Sequence, residues 1–295
     1  MDLLKRLRRG RRAARAKPTT RSTGWIHQEP EAPPCPPGWR TGPPDFVGVG
    51  AQKAGTTWWF RLIASHPDVH QDDNQRPELH FFDRYHSGWP TAEDIDRYHR
   101  LFPRPPGSLI GEKTPEYMAD YWVPRMLHAA APEARLIVLL RDPIERYRSA
   151  RTHGSLRDWP KERRTEGDTF HRGLYAPQLQ RLADCYDPAR ILTLQYERCV
   201  TDPAGQLSRT FRFLGLSDHV LTEEELLEPR NRTRVDKVEI STERLALLQR
   251  LYEQDVRALR DVVPDLDESL WPNFAHLALA RDPQHVFTAS SGASR

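Results

Sequence analysis

The sequence DFVGVGAQKAGTTWWFRLIAS, residues 45–65, predicts a strand, a tight loop and a helix in direct succession. Its apolar beginning is typical of a buried strand. Small residues follow at positions 50–55, a segment that we call the glycine loop. We expect the helix to begin at Thr56 and to end near Ser65, because Pro67 disfavours helical geometry just before it.

A strand, a glycine-bearing turn and a helix N-terminus form a common binding site for a phosphate-like anion, because backbone N–H groups and the helix dipole point at the ligand. The spacing of Gly50 and Gly55 matches a Walker A motif, but Thr56 stands where that motif has lysine. The lysine lies inside the loop, at Lys53. The dinucleotide fingerprint fits less well, and an ordinary strand-to-helix turn is an equal alternative for the loop taken alone.

Composition predicts one sizeable α/β domain with extensions, or at most two small domains, since the chain has 295 residues, of which 38% are apolar and 29% charged. Residues 1–22 carry nine Lys or Arg and one acid, a charge of +8. Because the whole chain carries +3, the remaining 273 residues carry −5. A body of that sign argues against a protein that coats nucleic acid, and we expect no nucleic-acid partner.

The three cysteines, Cys35, Cys185 and Cys199, are odd in number and show no C-x-x-C spacing. This pattern favours a reducing compartment without a disulfide framework or a zinc site. The apolar runs are too short to span a membrane, and the N-terminus lacks the apolar region of a secretory signal. We therefore expect a cytoplasmic location.

Three regions are predicted: a basic and then proline-rich flexible arm (1–44), one large domain of the size of an enzyme domain (45–278) and a C-terminal tail (279–295). A solvated tail is the favoured interpretation of residues 1–22. The alternative is contact with an anionic membrane surface, since leucines at helical spacing lie among the arginines.

Strand and helix signals alternate along the domain, which predicts a mostly parallel sheet covered on both faces. The expected elements are a helix from Thr91, a short strand at 109–110, a loop at 111–115, a helix of about 15 residues ending near 131, a strand at 135–140, a mobile loop at 154–170, a helix at 174–184, a strand at 191–196, and helices at 203–214 and 243–262.

Four blocks carry a family resemblance: QKAGTTWW (52–59), RPELHFFD (76–83), GEKTP (111–115) and RLIVLLRDPIERYRSA (135–150). Together they resemble the sulfotransferases that use 3′-phosphoadenosine-5′-phosphosulfate (PAPS), most closely the heparan sulfate N- and 3-O-sulfotransferase branch and its bacterial relatives. The resemblance covers roughly residues 45–275. It implies a P-loop-NTPase-like three-layer α/β fold with a central, mostly parallel sheet flanked by helices.

The same resemblance implies which residues bind the donor. In that family a Lys-x-Gly-Thr loop holds the 5′-phosphosulfate, and the matching residues here are Lys53, Ala54, Gly55, Thr56 and Thr57. A lysine beside the bridging oxygen can stabilise charge on the departing phosphate. The transferring sulfuryl group carries less charge than a phosphoryl group, so no metal is expected.

Further site residues are implied by the other blocks. Arg141 and Ser149 match the 3′-phosphate site, and a guanidinium with a hydroxyl suits a phosphate. Glu78 matches the base that takes the acceptor proton. His80 would face the same side if the segment is extended, where it could orient the glutamate or the acceptor. Lys113 matches a further active-site lysine.

Simpler interpretations stay open for single residues. Taken alone, Glu78 and Lys113 are solvated loop residues and His80 is a packed histidine. Arg141 alone is a surface arginine paired with Asp142 or Glu145. The segment that ends at Asp142 also imitates a Walker B strand, although an arginine directly before the acid argues against a magnesium ligand.

The sequence therefore predicts a sulfotransferase that acts on a hydroxyl or amine of a carbohydrate, a glycolipid or a small molecule. A P-loop kinase or NTPase and a non-catalytic binder acting through the basic arm are the alternatives. We expect the chain to depart from the heparan enzymes in lacking a membrane anchor, a suitable cysteine pair and a Lys-Gly-Arg loop; Arg230, Arg232, Arg234 and Lys237 lie in that region without the glycine. The acceptor and the oligomeric state cannot be read from the sequence.

Overall fold

A computed structural model describes residues 30–71, 78–85, 88–156, 166–227 and 236–279. Its centre is a four-stranded sheet with the order β2-β1-β3-β4. The strands are β1 (Phe46–Gly50), β2 (Gly111–Lys113), β3 (Arg135–Leu140) and β4 (Ile191–Gln195). Each neighbouring pair is parallel, so all four carboxyl ends lie at one edge.

Helices cover the sheet, which confirms the predicted α/β architecture. They are α1 (Thr56–Ala64), α2 (Ala92–His99), α3 (Val123–Ala130), α4 (Pro143–Leu156), α5 (Glu166–His171), α6 (Tyr175–Ala183), α7 (Tyr196–Thr201), α8 (Pro203–Leu214), α9 (Glu223–Leu227), α10 (Thr242–Val262) and α11 (Ala275–Leu279). No helix of the described residues is long and apolar enough to cross a membrane.

The core forms where the apolar patterns of the sequence predict it. All of β1 is buried, and β3 is buried apart from its first residue, as expected for central strands of a parallel sheet. Along α10 the buried positions include Leu248, Tyr252, Val256 and Leu259, three or four residues apart. The Asp255 carboxylate on the same helix accepts the first backbone N–H groups of α6, which fixes the two helices together.

One predicted strand is displaced. The strand expected at 109–110 lies instead at 111–113, inside the predicted loop, while Leu109 makes a single bridge to Val69. Polar residues can occupy this buried strand because they have partners. The Tyr98 hydroxyl donates to Glu112 Oε1 at 2.5 Å, and Lys113 is paired with Glu78.

Two further predictions are wrong in extent. The helix expected to span about 15 residues before 131 covers only Val123–Ala130, because turns occupy residues 115–122. The predicted loop at 154–170 is partly helical, since α4 continues to Leu156 and α5 begins at Glu166. Residues 157–165 lie outside the described residues.

Part of the predicted arm contacts the domain. The backbone of Arg40 pairs with that of Arg104, and the ring of Trp39 packs edge-on against His70, with centroids 4.8 Å apart. Residues 1–29 and 280–295 lie outside the described residues. The three domain boundaries therefore stay predictions.

Candidate active site

The glycine loop lies between the end of β1 and the start of α1. Gly55 and Lys53 have positive φ angles of 87° and 69°, the left-handed conformation that glycine adopts without strain. A Cβ on Gly55 would lie 2.7 Å from the ring of Tyr196, so side chains larger than hydrogen do not fit. No side chain caps the N-terminus of α1 among the described residues, and Thr56 and Thr57 begin its first turn.

Arg141 lies directly after β3, beside the glycine loop, because β3 and β1 are neighbours. Its Nη1 donates to the Lys53 carbonyl at 3.2 Å, and its guanidinium lies 4.8 Å from the centre of the Tyr196 ring. The Tyr175 hydroxyl donates to the Arg141 carbonyl at 3.0 Å. Arg141 Nε is buried without a hydrogen-bond partner among the described residues. The structure thus brings together the loop and the arginine that the sequence assigned to the two ends of one donor.

Asp142 has a structural task. Its Oδ1 accepts the backbone N–H groups of Ile144 at 2.9 Å and Glu145 at 3.2 Å, which caps α4. Its Oδ2 accepts both the backbone and side-chain N–H of Asn273, at 3.0 and 2.9 Å. Because the carboxylate is committed to these donors, it does not serve as a Walker B ligand.

Glu145 forms ion pairs with three cationic side chains near the start of α4. It lies 2.6 Å from Lys237, 2.8 Å from Arg148 and 3.9 Å from Arg141. Burial would raise the pKa of Glu145, but the Lys237 hydrogen bond and these charges hold that pKa below its ordinary value. The ion pair between Arg141 and Glu145 that the sequence offered as a simpler interpretation therefore exists, at the longest of the three distances.

Ser149 lies on the same helix, two turns beyond Arg141, and is partly exposed.

One lysine links the proposed base to the first turn of α1, which follows the glycine loop. Lys113 Nζ lies 2.7 Å from Glu78 Oε1 and donates to the Thr57 hydroxyl at 3.1 Å. His80 Nε2 lies 3.3 Å from Glu78 Oε2, and its Nδ1 lies 2.5 Å from Asp83. Because β2 is the parallel neighbour of β1, its last residue, Lys113, lies at the same carboxyl edge of the sheet as the glycine loop.

Opposite charges in this cluster favour the ionised forms of Glu78 and His80. Burial alone would raise the pKa of Glu78, but His80 and Lys113 outweigh it and lower that pKa to about 2. Burial would also lower the pKa of His80, yet Asp83 and Glu78, with Glu116 nearby, raise it to about 10. His80 is therefore an imidazolium at neutral pH, held between carboxylates.

The conformation of His80 differs from the prediction. The segment is not extended, because His80 has a positive φ of 51°. Its ring nevertheless meets Glu78. A polar chain supports this turn: the His80 N–H donates to Thr114 Oγ1 at 3.3 Å, and that hydroxyl donates to Glu112 at 3.0 Å. Burial raises the pKa of Glu112 to about 7.

Sequence reasoning missed several residues of the site. Asp83 lies within the block RPELHFFD, but only its contact with the His80 ring shows that it belongs to the site. Tyr196 and Glu116 belong to segments without a motif. Glu116 accepts from Gln52 of the glycine loop at 2.5 Å and lies 3.8 Å from His80 Nε2. No local sequence pattern signals contacts between segments so far apart in the chain.

One group of side chains has the spacing of a metal site. Ligand atoms of Glu78, His80 and Glu116 lie within 4.8 Å of one another. Both ring nitrogens of His80 face carboxylates, at 3.3 Å from Glu78 and 2.5 Å from Asp83. These contacts suit hydrogen bonds from the ring to the two carboxylates. The absence of a metal from the reaction stays a prediction.

Comparisons with known proteins bear on the family and the fold. The sulfotransferase domain family model matches residues 43–243. Human heparan sulfate glucosamine 3-O-sulfotransferase 6 is 34% identical over 65% of this chain and 58% of its own length. The bovine bifunctional heparan sulfate N-deacetylase/N-sulfotransferase 2 is 29% identical over 59% of this chain and 22% of its own length. The chain thus spans less than two thirds of the length of these relatives.

A solved structure shares the fold. The sulfotransferase from Alicyclobacillus acidocaldarius superposes with a TM-score of 0.61 at 21% identity, covering 77% of this chain and 98% of its own. With the family match over residues 43–243, the chain belongs to the sulfotransferase domain family.

Proposed function

We propose that this protein transfers a sulfuryl group from PAPS to a hydroxyl or amine of a carbohydrate, glycolipid or small-molecule acceptor. The observation that carries the proposal is the position of Lys113, which contacts the proposed base Glu78 and the glycine-loop helix through Thr57. A proton acceptor and an anion-binding loop joined by one cation are the parts that this reaction requires.

The residues present suit a donor with a negative group at each end. The N-terminus of α1 offers backbone N–H groups and the positive end of its dipole to the phosphosulfate. Arg141, with its unpaired buried Nε, would hold the 3′-phosphate, and Ser149 on α4 would supply a hydroxyl. Lys53 and Lys113 would both lie near the phosphosulfate end.

When bound, PAPS supplies an activated sulfuryl group. The acceptor oxygen or nitrogen forms a bond to sulfur, its proton passes to Glu78, and the bridging bond from sulfur to the phosphate oxygen breaks with its electron pair on that oxygen. Lys53 stabilises the charge that develops on this oxygen. His80 holds Glu78 in place by its hydrogen bond.

Lys113 makes the basicity of Glu78 depend on the donor. Against the effect of burial, the His80 hydrogen bond and, after it, Lys113 lower the pKa of Glu78 to about 2, so the carboxylate is a weak base. A donor anion that attracts Lys113 would remove the lysine's part of this lowering and raise the pKa of Glu78, while the His80 hydrogen bond stays in place. The base would then accept a proton more readily with donor present than without it.

The names of the relatives make a glycan the first acceptor class to test. The two relatives above are named for heparan sulfate. We propose a carbohydrate acceptor on that basis, with heparan sulfate as one member of the panel. A cytoplasmic reaction is also part of the proposal, and the free state of Cys35, Cys185 and Cys199 is compatible with it.

The test has two stages. Calorimetry compares 3′-phosphoadenosine-5′-phosphate (PAP) with ATP, and we expect PAP alone to bind tightly. Mass spectrometry then searches for products heavier by SO₃ after incubation with PAPS and a panel of sugars, glycolipids and phenols, with Glu78→Gln as the inactive control. Equal binding of ATP and PAP, or magnesium-dependent ATP turnover, would favour the kinase alternative.

A further inference from the structure

Glu116 occupies a position between the glycine loop and the proposed base. Its Oε1 accepts from Gln52 Nε2 at 2.5 Å and lies 3.0 Å from Arg172 Nη1. Its Oε2 lies 3.8 Å from His80 Nε2. One carboxylate therefore contacts the loop, the turn after α5 and the histidine that supports Glu78.

The backbone around Glu116 is fixed to the root of the same loop. Thr114 N–H donates to the Gly48 carbonyl at 3.0 Å, and Met118 N–H donates to the Val49 carbonyl at 3.0 Å. The Met118 side chain also fills the space that a Cβ on Gly50 would need, 1.9 Å from its sulfur. The segment that carries Glu116 is thus held against the end of β1, where the glycine loop begins.

We infer that Glu116 is a positioning residue that couples the glycine loop to the pair Glu78 and His80. This inference rests on the proposed function, because it assigns the loop to the donor and the pair to proton transfer. Gln52 holds one oxygen of Glu116 toward the loop, and the other oxygen helps to orient the His80 imidazolium. Binding of a donor anion to the loop would then change the orientation of the His80 ring, and through it the orientation of Glu78.

The partners on each side of Glu116 support this task. Arg172 also pairs with Asp168 at 3.3 Å, so the guanidinium ties Glu116 to α5. Burial raises the pKa of Glu116, while Arg172 and His80 oppose that shift. A glutamine would be a poor substitute, because its NH₂ group would face either the donors Gln52 and Arg172 or the protonated His80.

Charged groups from several of the described elements surround His80. Three carboxylates face its ring directly, from Glu78, Asp83 and Glu116. Three further charged groups act through these or through Thr114: Lys113 on Glu78, Arg172 on Glu116, and Glu112 beneath Thr114. A change at Glu116 alone leaves the two nearest carboxylates of His80 in place.

The first experiment follows the His80 ring by NMR in ¹⁵N-histidine-labelled protein, with the signal assigned by its loss in His80→Gln. We expect Glu116→Gln to lower the titration midpoint of His80 by about one pH unit, since one nearby charge is removed. Glu133→Gln is the matched control, because that carboxylate is exposed and pairs with Arg190. An unchanged midpoint in Glu116→Gln would overturn the inference.

The second experiment adds PAP, and Gln52→Met removes the loop contact without changing any charge. In the natural sequence, saturation with PAP should shift the His80 signal; in Gln52→Met the shift at saturation should fall by at least about half. Affinity is measured in the same titration, so saturation is defined for each variant. A full shift in Gln52→Met would contradict the coupling even if Glu116→Gln failed to fold.

The two proposals fail separately. If PAP does not bind the natural sequence, the proposed function is wrong, whereas the pH titration needs no ligand. If PAP binds but His80 responds equally in the natural sequence and Gln52→Met, the coupling alone is wrong.

Discussion

Lys113 and Glu78 form an ion pair of 2.7 Å in which the lysine side chain is 3% exposed and the glutamate side chain 34% exposed. The lysine is the buried partner of the pair. The glutamate carboxylate is therefore still reached by solvent, while a buried ammonium group balances its charge. A base arranged in this way can meet an acceptor from solvent.

Replacement of Glu78 by Gln should lower turnover by about 10²–10⁴-fold, the usual contribution of a positioned general base. PAP affinity should change little, because Glu78 contacts Lys113 and His80 rather than the glycine loop itself. The measurement is sulfuryl transfer to any acceptor found by the mass-spectrometric panel, beside calorimetry with PAP. Glu253→Gln, an exposed pair with Arg257 on α10, is the control. Equal losses of transfer and of PAP affinity would contradict a base.

Replacement of Arg141 by Ala should weaken PAP binding by about 10–100-fold, since a charge-assisted hydrogen bond contributes about 1.5–3 kcal/mol. Adenosine 5′-phosphosulfate, which lacks the 3′-phosphate, should be affected much less. Calorimetry with both nucleotides measures the difference, and Arg190→Ala, whose partner Glu133 is exposed, is the control. If both nucleotides lose affinity equally, Arg141 does not recognise the 3′-phosphate.

Replacement of Gly55 by Ala should destabilise the protein by more than the about 1–2 kcal/mol that the left-handed conformation costs, because the new Cβ also meets the Tyr196 ring. Gly107→Ala is the matched control, since Gly107 has a similar φ of 86° and nothing lies within 4 Å of the Cβ it would gain. Denaturant unfolding measures both free energies. Similar stabilities for the two variants would show that Tyr196 moves aside without cost.

Stability should decline on the alkaline side of neutrality because of His80. Its folded pKa of about 10 exceeds the ordinary histidine pKa of 6.5, so its contribution is complete below about pH 6.5, where both states bind the proton. Between these values the unfolded chain releases its proton first, and the contribution is lost as pH rises toward 10. Denaturant unfolding from pH 6 to 10 should show this slope, and His80→Gln should reduce it. An equal slope in both proteins would assign the effect to other groups.

Replacement of Asn273 by Ala should disturb the donor site without touching the glycine loop. Asn273 Nδ2 donates to Asp142 Oδ2 at 2.9 Å, and Asp142 caps the helix that follows Arg141. We expect a loss of about 0.5–1.5 kcal/mol in the free energy of unfolding, the usual net value of one hydrogen bond, together with weaker PAP binding. Gln249→Ala is the control, because it removes a hydrogen bond to the Asn273 carbonyl and leaves the contacts between Asn273 and Asp142 in place. It therefore separates a general loss of stability from a loss of PAP binding. Unchanged PAP binding in Asn273→Ala would show that the cap does not position Arg141.

The periodic elements could be predicted from the sequence because their signals are local. The apolar run of β3 and the spacing of apolar residues in α10 each lie within one window of the chain. Strand β2 was missed because its polar residues are stabilised by partners elsewhere, as when Tyr98 donates to Glu112. The exact extents of α3 and α5 likewise depend on packing rather than on local pattern.

The candidate site was predictable to a different degree. The family blocks placed Glu78, Lys113 and Arg141, and the structure brings the first two together and sets Arg141 beside the glycine loop. The left-handed conformation of His80 was not predictable, since nothing local requires it. The contact between Glu116 and Gln52 joins residues 64 positions apart, which a single sequence does not reveal.

The contact between Asp142 and Asn273 also bears on how the protein is made. Their hydrogen bonds join residues 131 positions apart, and the second partner is among the last described residues. A ribosome releases the glycine loop, Arg141 and the proposed base long before it releases Asn273. The nascent chain can therefore form its sheet early, but the helix that follows Arg141 receives its full cap only after Asn273 has emerged from the ribosome.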